Sequence, residues 1–212
     1  MLDDNSRILD HRSTIEEATS PSLTDRIAGR VRDLRAARDL SLEELATACG
    51  VSRSMISLIE RGESSPTAVV LEKLSAGLGV PLASLFDAPT PRAEPVSRLA
   101  DQVSWRDPGS GYVRRNVSPA GFESPIQIVE VSFPAGARVA YESGARSPRV
   151  HQQIWVFEGS IDVTLGDDEH RLGVGDCLAM LLDRPITYHN PTRRRARYAV
   201  VIATEAGPWR ST

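Results

Sequence analysis

Leu40-Ser41-Leu42-Glu43-Glu44-Leu45-Ala46-Thr47-Ala48-Cys49-Gly50-Val51-Ser52-Arg53-Ser54-Met55-Ile56-Ser57-Leu58-Ile59-Glu60-Arg61-Gly62 is the stretch on which the fold turns. Ser41 stands where a helix needs an N-cap, and Glu44, three residues on, completes a capping box. Leu42, Leu45, Ala46 and Cys49 then fall on one apolar face. Gly50 follows where the chain needs a left-handed residue to turn sharply. Val51 plugs the turn, Ser52 caps a second helix running to about Arg61 with Ile56 and Ile59 inward, and Gly62 ends it. Ala46 must be small because the two helices approach there. The spacing predicts two helices joined at a steep angle with the second exposed, which is how a helix enters the major groove of double-stranded DNA.

The outward positions of the second helix carry Arg53, Ser54, Ser57, Leu58 and Arg61, with Ser52 at its start. Arginine pairs bidentately with guanine, serine bonds to bases or phosphate, and Leu58 suits a thymine methyl. Upstream, Arg35 and Arg38 lie three apart near the end of another helical stretch and are candidate phosphate contacts, the alternative being pairing with Asp25, Asp33 and Asp39. From Ser22 to Asp87 there are eight Lys and Arg against nine Asp and Glu, a balance of −1. DNA affinity must therefore come from where the arginines sit, not from net charge.

Leu40–Ala46, Gly50–Ser54, Ile56–Gly62 and Ser65-Pro66-Thr67 together resemble the XRE/Cro-repressor family over Ser22 to Phe86. The resemblance implies a bundle of five helices: a first at Leu23–Arg38, a recognition helix at Ser52–Arg61, and the last two at Thr67–Leu78 and Leu82–Phe86. It also places Glu60 inside the domain as a support of the fold, not as a base reader.

Residues 1–21 are polar and read as a flexible N-terminal tail. Residues 22–87 form the helical DNA-binding unit. Residues 88–99 are a Pro-rich linker, since Pro89, Pro91 and Pro95 forbid a helix. From residue 100 to 212 the texture changes: Ile126–Val131, Ile154–Phe157, Ile161–Leu165 and Tyr198–Ile202 are short β-branched and aromatic runs between Gly, Pro and Asp breaks. Such spacing predicts an all-β barrel or sandwich. Among 212 residues, 41% are hydrophobic and 25% charged, with a net charge of −3. No apolar run approaches the length that crosses a bilayer, and the start lacks a signal-peptide pattern, so a cytoplasmic, nucleoid-associated protein with no membrane partner is expected. Cys49 and Cys177 are read as small apolar side chains in two separate cores.

Phe157-Glu158-Gly159, Gly173-Val174-Gly175-Asp176, Pro185 and Asn190-Pro191 resemble the cupin barrel over about Ile126 to Ala203. In metal-holding cupins two histidines, a carboxylate and a further histidine form the site. Those positions fall here near Ala145 and Ser147, on Gln152 and on Ile186, so the metal set is lost and no cofactor is expected. His151 and His189 lie one to three residues off register, and a one-residue slip flips a side chain to the other face. The resemblance then implies a barrel mouth used as an apolar effector pocket, with Gln152 and Ile154 facing it and Tyr141, Met180 and His189 as further candidates. Trp155 is expected in the core, with a dimer contact as the alternative. His170 is placed in a solvated turn, and Arg193–Arg197 reads as a solvated basic run or an anion contact.

Together these readings describe a homodimeric regulator that binds operator DNA and a small-molecule effector. The alternative is a cupin metalloenzyme of oxygenase or isomerase type with a DNA-binding appendage.

Overall fold

The computed structural model describes residues 22–86, 94–122, 124–142 and 149–205. The expected N-terminal tail, the first half of the linker (residues 88–93), and Ala145 and Ser147 lie outside them. Helix α1 (Leu23–Ala36) starts at Ser22, whose hydroxyl accepts from the Asp25 amide while the Asp25 side chain returns the bond. α2 (Leu42–Cys49) carries the expected capping box of Ser41 and Glu44, and Gly50 closes it at φ +65°. α3 (Arg53–Glu60) is capped by the Ser52 hydroxyl, which accepts from the Met55 amide. α4 (Ala68–Gly77) is capped by Thr67. Ile27, Val31, Leu45, Ile56, Ile59, Leu71, Leu74 and Leu85 close the core between them.

The expected fifth helix is not α-helical. Leu82–Leu85 forms a single 3-10 turn, closed by Ser84 N–H to Pro81 and Phe86 N–H to Ala83. Both bonds run to the residue three back, the tighter closure of a short 3-10 turn. Among the described residues the helical unit therefore has four α-helices and this turn. None of its helices is long and apolar enough to cross a membrane.

Ten strands follow among the described residues: β1 (Ser104–Arg106), β2 (Val113–Asn116), β3 (Ile126–Phe133), β4 (Arg138–Tyr141), β5 (Val150–Glu158), β6 (Ile161–Leu165), β7 (Asp168–Leu172), β8 (Cys177–Leu181), β9 (Ile186–His189) and β10 (Ala196–Thr204). They form two antiparallel sheets, ordered β1-β2-β3-β10-β5-β8 and β4-β9-β6-β7. Numbered from β3 as one to eight, the last eight strands read 1-8-3-6 and 2-7-4-5. That order is a double-sheet jelly roll, the architecture that cupin domains share. Gly159, at φ +75°, turns β5 into β6. A Cβ there would sit 2.8 Å from the Arg195 carbonyl oxygen, so the position tolerates little but glycine. Asn190 is fully buried and ties the end of β9 down: its amide donates to the carbonyls of Phe133, Pro134 and Arg194.

Strand parity decides several side chains. On β5, Gln152, Ile154 and Val156 point inward, whereas His151, Gln153, Trp155 and Phe157 point out. Trp155 is 52% exposed, which overturns its placement in the core. Cys177, opposite Trp155 in register, shares that outer face and is exposed, not buried; Cys49 is buried as expected. His170 belongs to β7 and not to the turn, because Leu165 pairs with Asp168 and only Gly166 and Asp167 remain between. Arg197 of the basic run bonds to Glu130, and Arg195 reaches Glu158.

The helical unit is joined to the barrel by direct contact. Asp107 Oδ1 accepts from the N–H of Ala68, the first residue of α4, at 2.9 Å. Phe86 packs on Trp105 with ring centroids 5.7 Å apart, and the Arg114 guanidinium lies 5.8 Å over the Phe86 ring. Lys73 of α4 pairs with Glu142 at 3.0 Å.

Candidate functional sites

The first site is the outer face of α3. Ser52, Arg53, Ser54 and Arg61 are exposed, and Ser57 and Leu58 are half-buried beside them. The Arg53 side chain is 68% exposed and meets only Glu43, at 4.0 Å. In water such a contact contributes little, so Arg53 is free to exchange it for a base. Ser52 is occupied as the cap, and its hydroxyl also meets that of Ser54 at 3.2 Å. Arg61 is held differently. Its guanidinium donates two bonds to Glu63, at 2.7 and 2.9 Å, and a third to Ser57. The Glu63 bonds raise the Arg61 pKa and lower that of Glu63.

The two upstream arginines part company. Arg38 is exposed, with one bond to the Leu34 carbonyl. Arg35 makes a two-pronged bond to Glu60, at 2.7 and 2.8 Å, and donates to the Leu40 carbonyl at 2.8 Å. Glu60 is only 8% exposed. Arg35 is therefore a strut between α1 and α3, and we withdraw it from the candidate phosphate contacts. The inward position that the family resemblance implies for Glu60 is the one seen.

The second site is a cavity of about 350 Å³ between the barrel mouth and the helical unit. Tyr141 and Gln152 line it, as the sequence reading expects. Ile154 and Met180 do not: both are buried in the packed interior, where Met180 Sδ accepts a weak bond from Gln152. His189 lies on the opposite parity of β9 from the inward Ile186 and Tyr188, with Arg138 and Asp162 as cross-strand neighbours. Those three are removed from the cavity lining.

Sequence reasoning missed most of the lining. Tyr112 and Arg114 enter from β2 and the turn before it, Tyr188 from β9, and Tyr198, Val200 and Ile202 from β10. The parity of Tyr198, Val200 and Ile202 was a usable signal; Tyr112 and Arg114 precede the stretch that resembles a cupin and gave none. The far wall is not barrel at all. It is Glu72, Ser75 and Ala76 of α4, the Gly79–Leu82 segment, and Ala48 of α2. α4 in turn rests on α2 so closely that a Cβ on Gly77 would lie 2.6 Å from that of Cys49.

Four of the hydrogen-bonding side chains of the cavity are phenols. The hydroxyls of Tyr112 and Tyr141 are 3.3 Å apart, Gln152 Nε2 donates to the Tyr188 hydroxyl at 2.6 Å, and Tyr188 stacks on Tyr198. Burial pushes the phenols of Tyr112, Tyr141, Tyr188 and Tyr198 above their ordinary pKa, so all remain protonated near neutrality.

These residues do not fit the metal of cupin enzymes. Gln152 stands at the carboxylate position with its amide committed to Tyr188, and Ile186 supplies no donor atom. His151 points outward and bonds to Glu205 at 2.8 Å. Among the described residues no three His, Cys, Asp or Glu side chains converge as a metal site.

Residues 31–85 match the helix-turn-helix family HTH_3. The chain is 30% identical over 173 residues to the HTH-type transcriptional regulator SutR of Escherichia coli K12, covering 81% of this chain and 91% of that protein. It is 41% identical over 58 residues to the cryptic phage CTXphi transcriptional repressor RstR of Vibrio cholerae, covering 27% of this chain and 52% of that one. A crystal structure of an HTH_3 family transcriptional regulator from Vibrio cholerae superposes with a TM-score of 0.71 at 26% identity, covering 87% of this chain and 98% of the other.

Proposed function

This chain belongs to the HTH-type transcriptional regulators, and from that premise we propose that it reads operator DNA through α3 and adjusts its grip when a small effector enters the cavity. The observation that carries this reading is the far wall: α4 and α2 of the DNA-binding unit close the mouth of the barrel. A ligand there touches both units and so differs in affinity between arrangements of the two, the one condition under which it can shift them. Coupling need not run through the proline linker, because Asp107, Phe86 and Lys73 already join the units.

On this reading Arg53 and Ser54 meet base edges at the start of α3, with Ser57, Leu58 and Arg61 beside them. Ser52 and Arg38 contact phosphate. One such helix reads few base pairs, so a second copy supplies the other half-site about one helical turn away. The outer face of the larger sheet suits that copy. Ile126, Ile128, Trp155 and Phe157 are all exposed there, and the Glu130, Arg115 and Arg197 ion pairs border them, an apolar centre with a polar rim. Gln152 and Ile186 at two of the family's metal positions, with α4 and α2 closing the mouth, favour a sensor over an enzyme.

Genome-wide mapping of bound DNA, followed by binding of the recovered fragment, tests the reading. Arg53→Ala should weaken specific binding by about 1–3 kcal/mol and relax preference at one position per half-site. Arg38→Ala should weaken binding to all sequences and lower the salt slope. Wild-type binding by both variants would remove α3 as the reading helix.

A further inference from the structure

The sensor reading leaves the chemistry of the effector open, and Arg114 narrows it. Its side chain lines the cavity and is only 6% exposed. Nε donates to Asn116 Oδ1 at 3.3 Å, one face of the guanidinium covers Phe86, and Nη2 is buried without a hydrogen-bond partner. Among the described residues no carboxylate forms an ion pair with it, and four tyrosines line the cavity beside it. Those phenols stay neutral, so they cannot balance it. Burial pulls the Arg114 pKa down, yet a guanidinium keeps its proton in proteins. The result is a buried positive charge with an open donor, an arrangement that is costly until an anion arrives.

We infer that the cavity takes a small organic carboxylate with an apolar body, its anionic end on Arg114 and the hydroxyls of Tyr112 and Tyr141. This rests on the effector reading and specifies its ligand class. A planar fork of donors beside phenolic hydroxyls matches a carboxylate in geometry as well as in charge. The remaining wall, Val139, Val200 and Ile202, is apolar and takes the body of the molecule. Glu72 of α4 also lines the cavity and has a partner of its own.

The test uses the full chain as wild type, Arg114→Met and Arg114→Lys, with hexanoate and phenylacetate as probes and hexanamide and phenylacetamide as neutral counterparts. Thermal melts should show a saturable rise in Tm with the carboxylates and none with the amides. Arg114→Met should lose that response while melting, without probe, no lower than wild type, since it removes an uncompensated charge but keeps the bulk. Arg114→Lys should respond at roughly tenfold higher probe concentration, as it keeps the charge but not the fork. Amides that act as well as carboxylates, or a full response in Arg114→Met, would overturn the carboxylate while leaving an effector cavity in place. A wild-type Tm that no carboxylate moves overturns it as well; silence from the amides too would count against the cavity as an effector site.

Discussion

Two arginines in one stretch of sequence have opposite uses, and composition alone could not separate them. Arg53 is exposed with a single long contact, whereas Arg35 has three short bonds and a nearly buried partner. Removing one member of such a pair leaves the other charge unsolvated. Arg35→Ala should therefore lower stability by about 2–4 kcal/mol, seen as a fall in the denaturation midpoint with little change in slope, and should impair DNA binding only through folding. Arg53→Ala should leave the midpoint unchanged. A melt that shifts equally in both would refute this division. The sequence showed that both positions are basic and helical. It could not show that Glu60, 25 residues away, turns inward to meet Arg35; only the family resemblance pointed that way.

At the scale of elements, the helices were legible because their signals are local. The capping box of Ser41 and Glu44 and the turn at Gly50 are present as read. Leu82–Leu85 was less legible, since apolar spacing does not distinguish one 3-10 turn from a short helix. Four of the ten described strands, β3, β5, β6 and β10, were legible as β-branched and aromatic runs; the other six were not. Period-two alternation says which residues share a face, not which face is inside, and β5 carries Trp155 and Phe157 on one side with Ile154 and Val156 on the other. The outer aromatic pair, ring centroids 5.0 Å apart, motivates a direct test of the dimer. Trp155→Glu should give a monomer by light scattering at micromolar concentration, with circular dichroism and melting point close to wild type. A wild-type protein already monomeric with and without DNA, or a variant that remains dimeric, would remove this face from the interface.

For the whole molecule, no local signal in the chain indicates that the two units meet. Three of the barrel residues that join them, Asp107, Trp105 and Arg114, lie between the two recognisable stretches. Asp107 makes the joint depend on pH. Burial alone would raise its pKa, but bonds from the Ser110 hydroxyl and from backbone N–H groups, including that of Ala68, outweigh this and hold it below the ordinary carboxylate value. A carboxyl depressed in the folded state stabilises it fully above its unfolded pKa of about 4, and that contribution is lost as pH falls through the lower folded value. The gap in Tm between wild type and Asp107→Asn should stay constant from about pH 8 to 5 and close toward pH 3; a gap that ignores acid would mean that Asp107 does not titrate at the joint. The central claim is that the cavity shared by the barrel and α4 sets the grip on DNA. Ala76 lines that cavity from the exposed side of α4, away from α3. The most direct measurement is the Kd for the recovered operator fragment in wild type and in Ala76→Phe, which puts a ring where an effector would sit. With folding intact by circular dichroism, the expected result is a change of about 5–150-fold, the range of an allosteric coupling. An operator Kd unchanged within about twofold, a coupling well below that range, would contradict it.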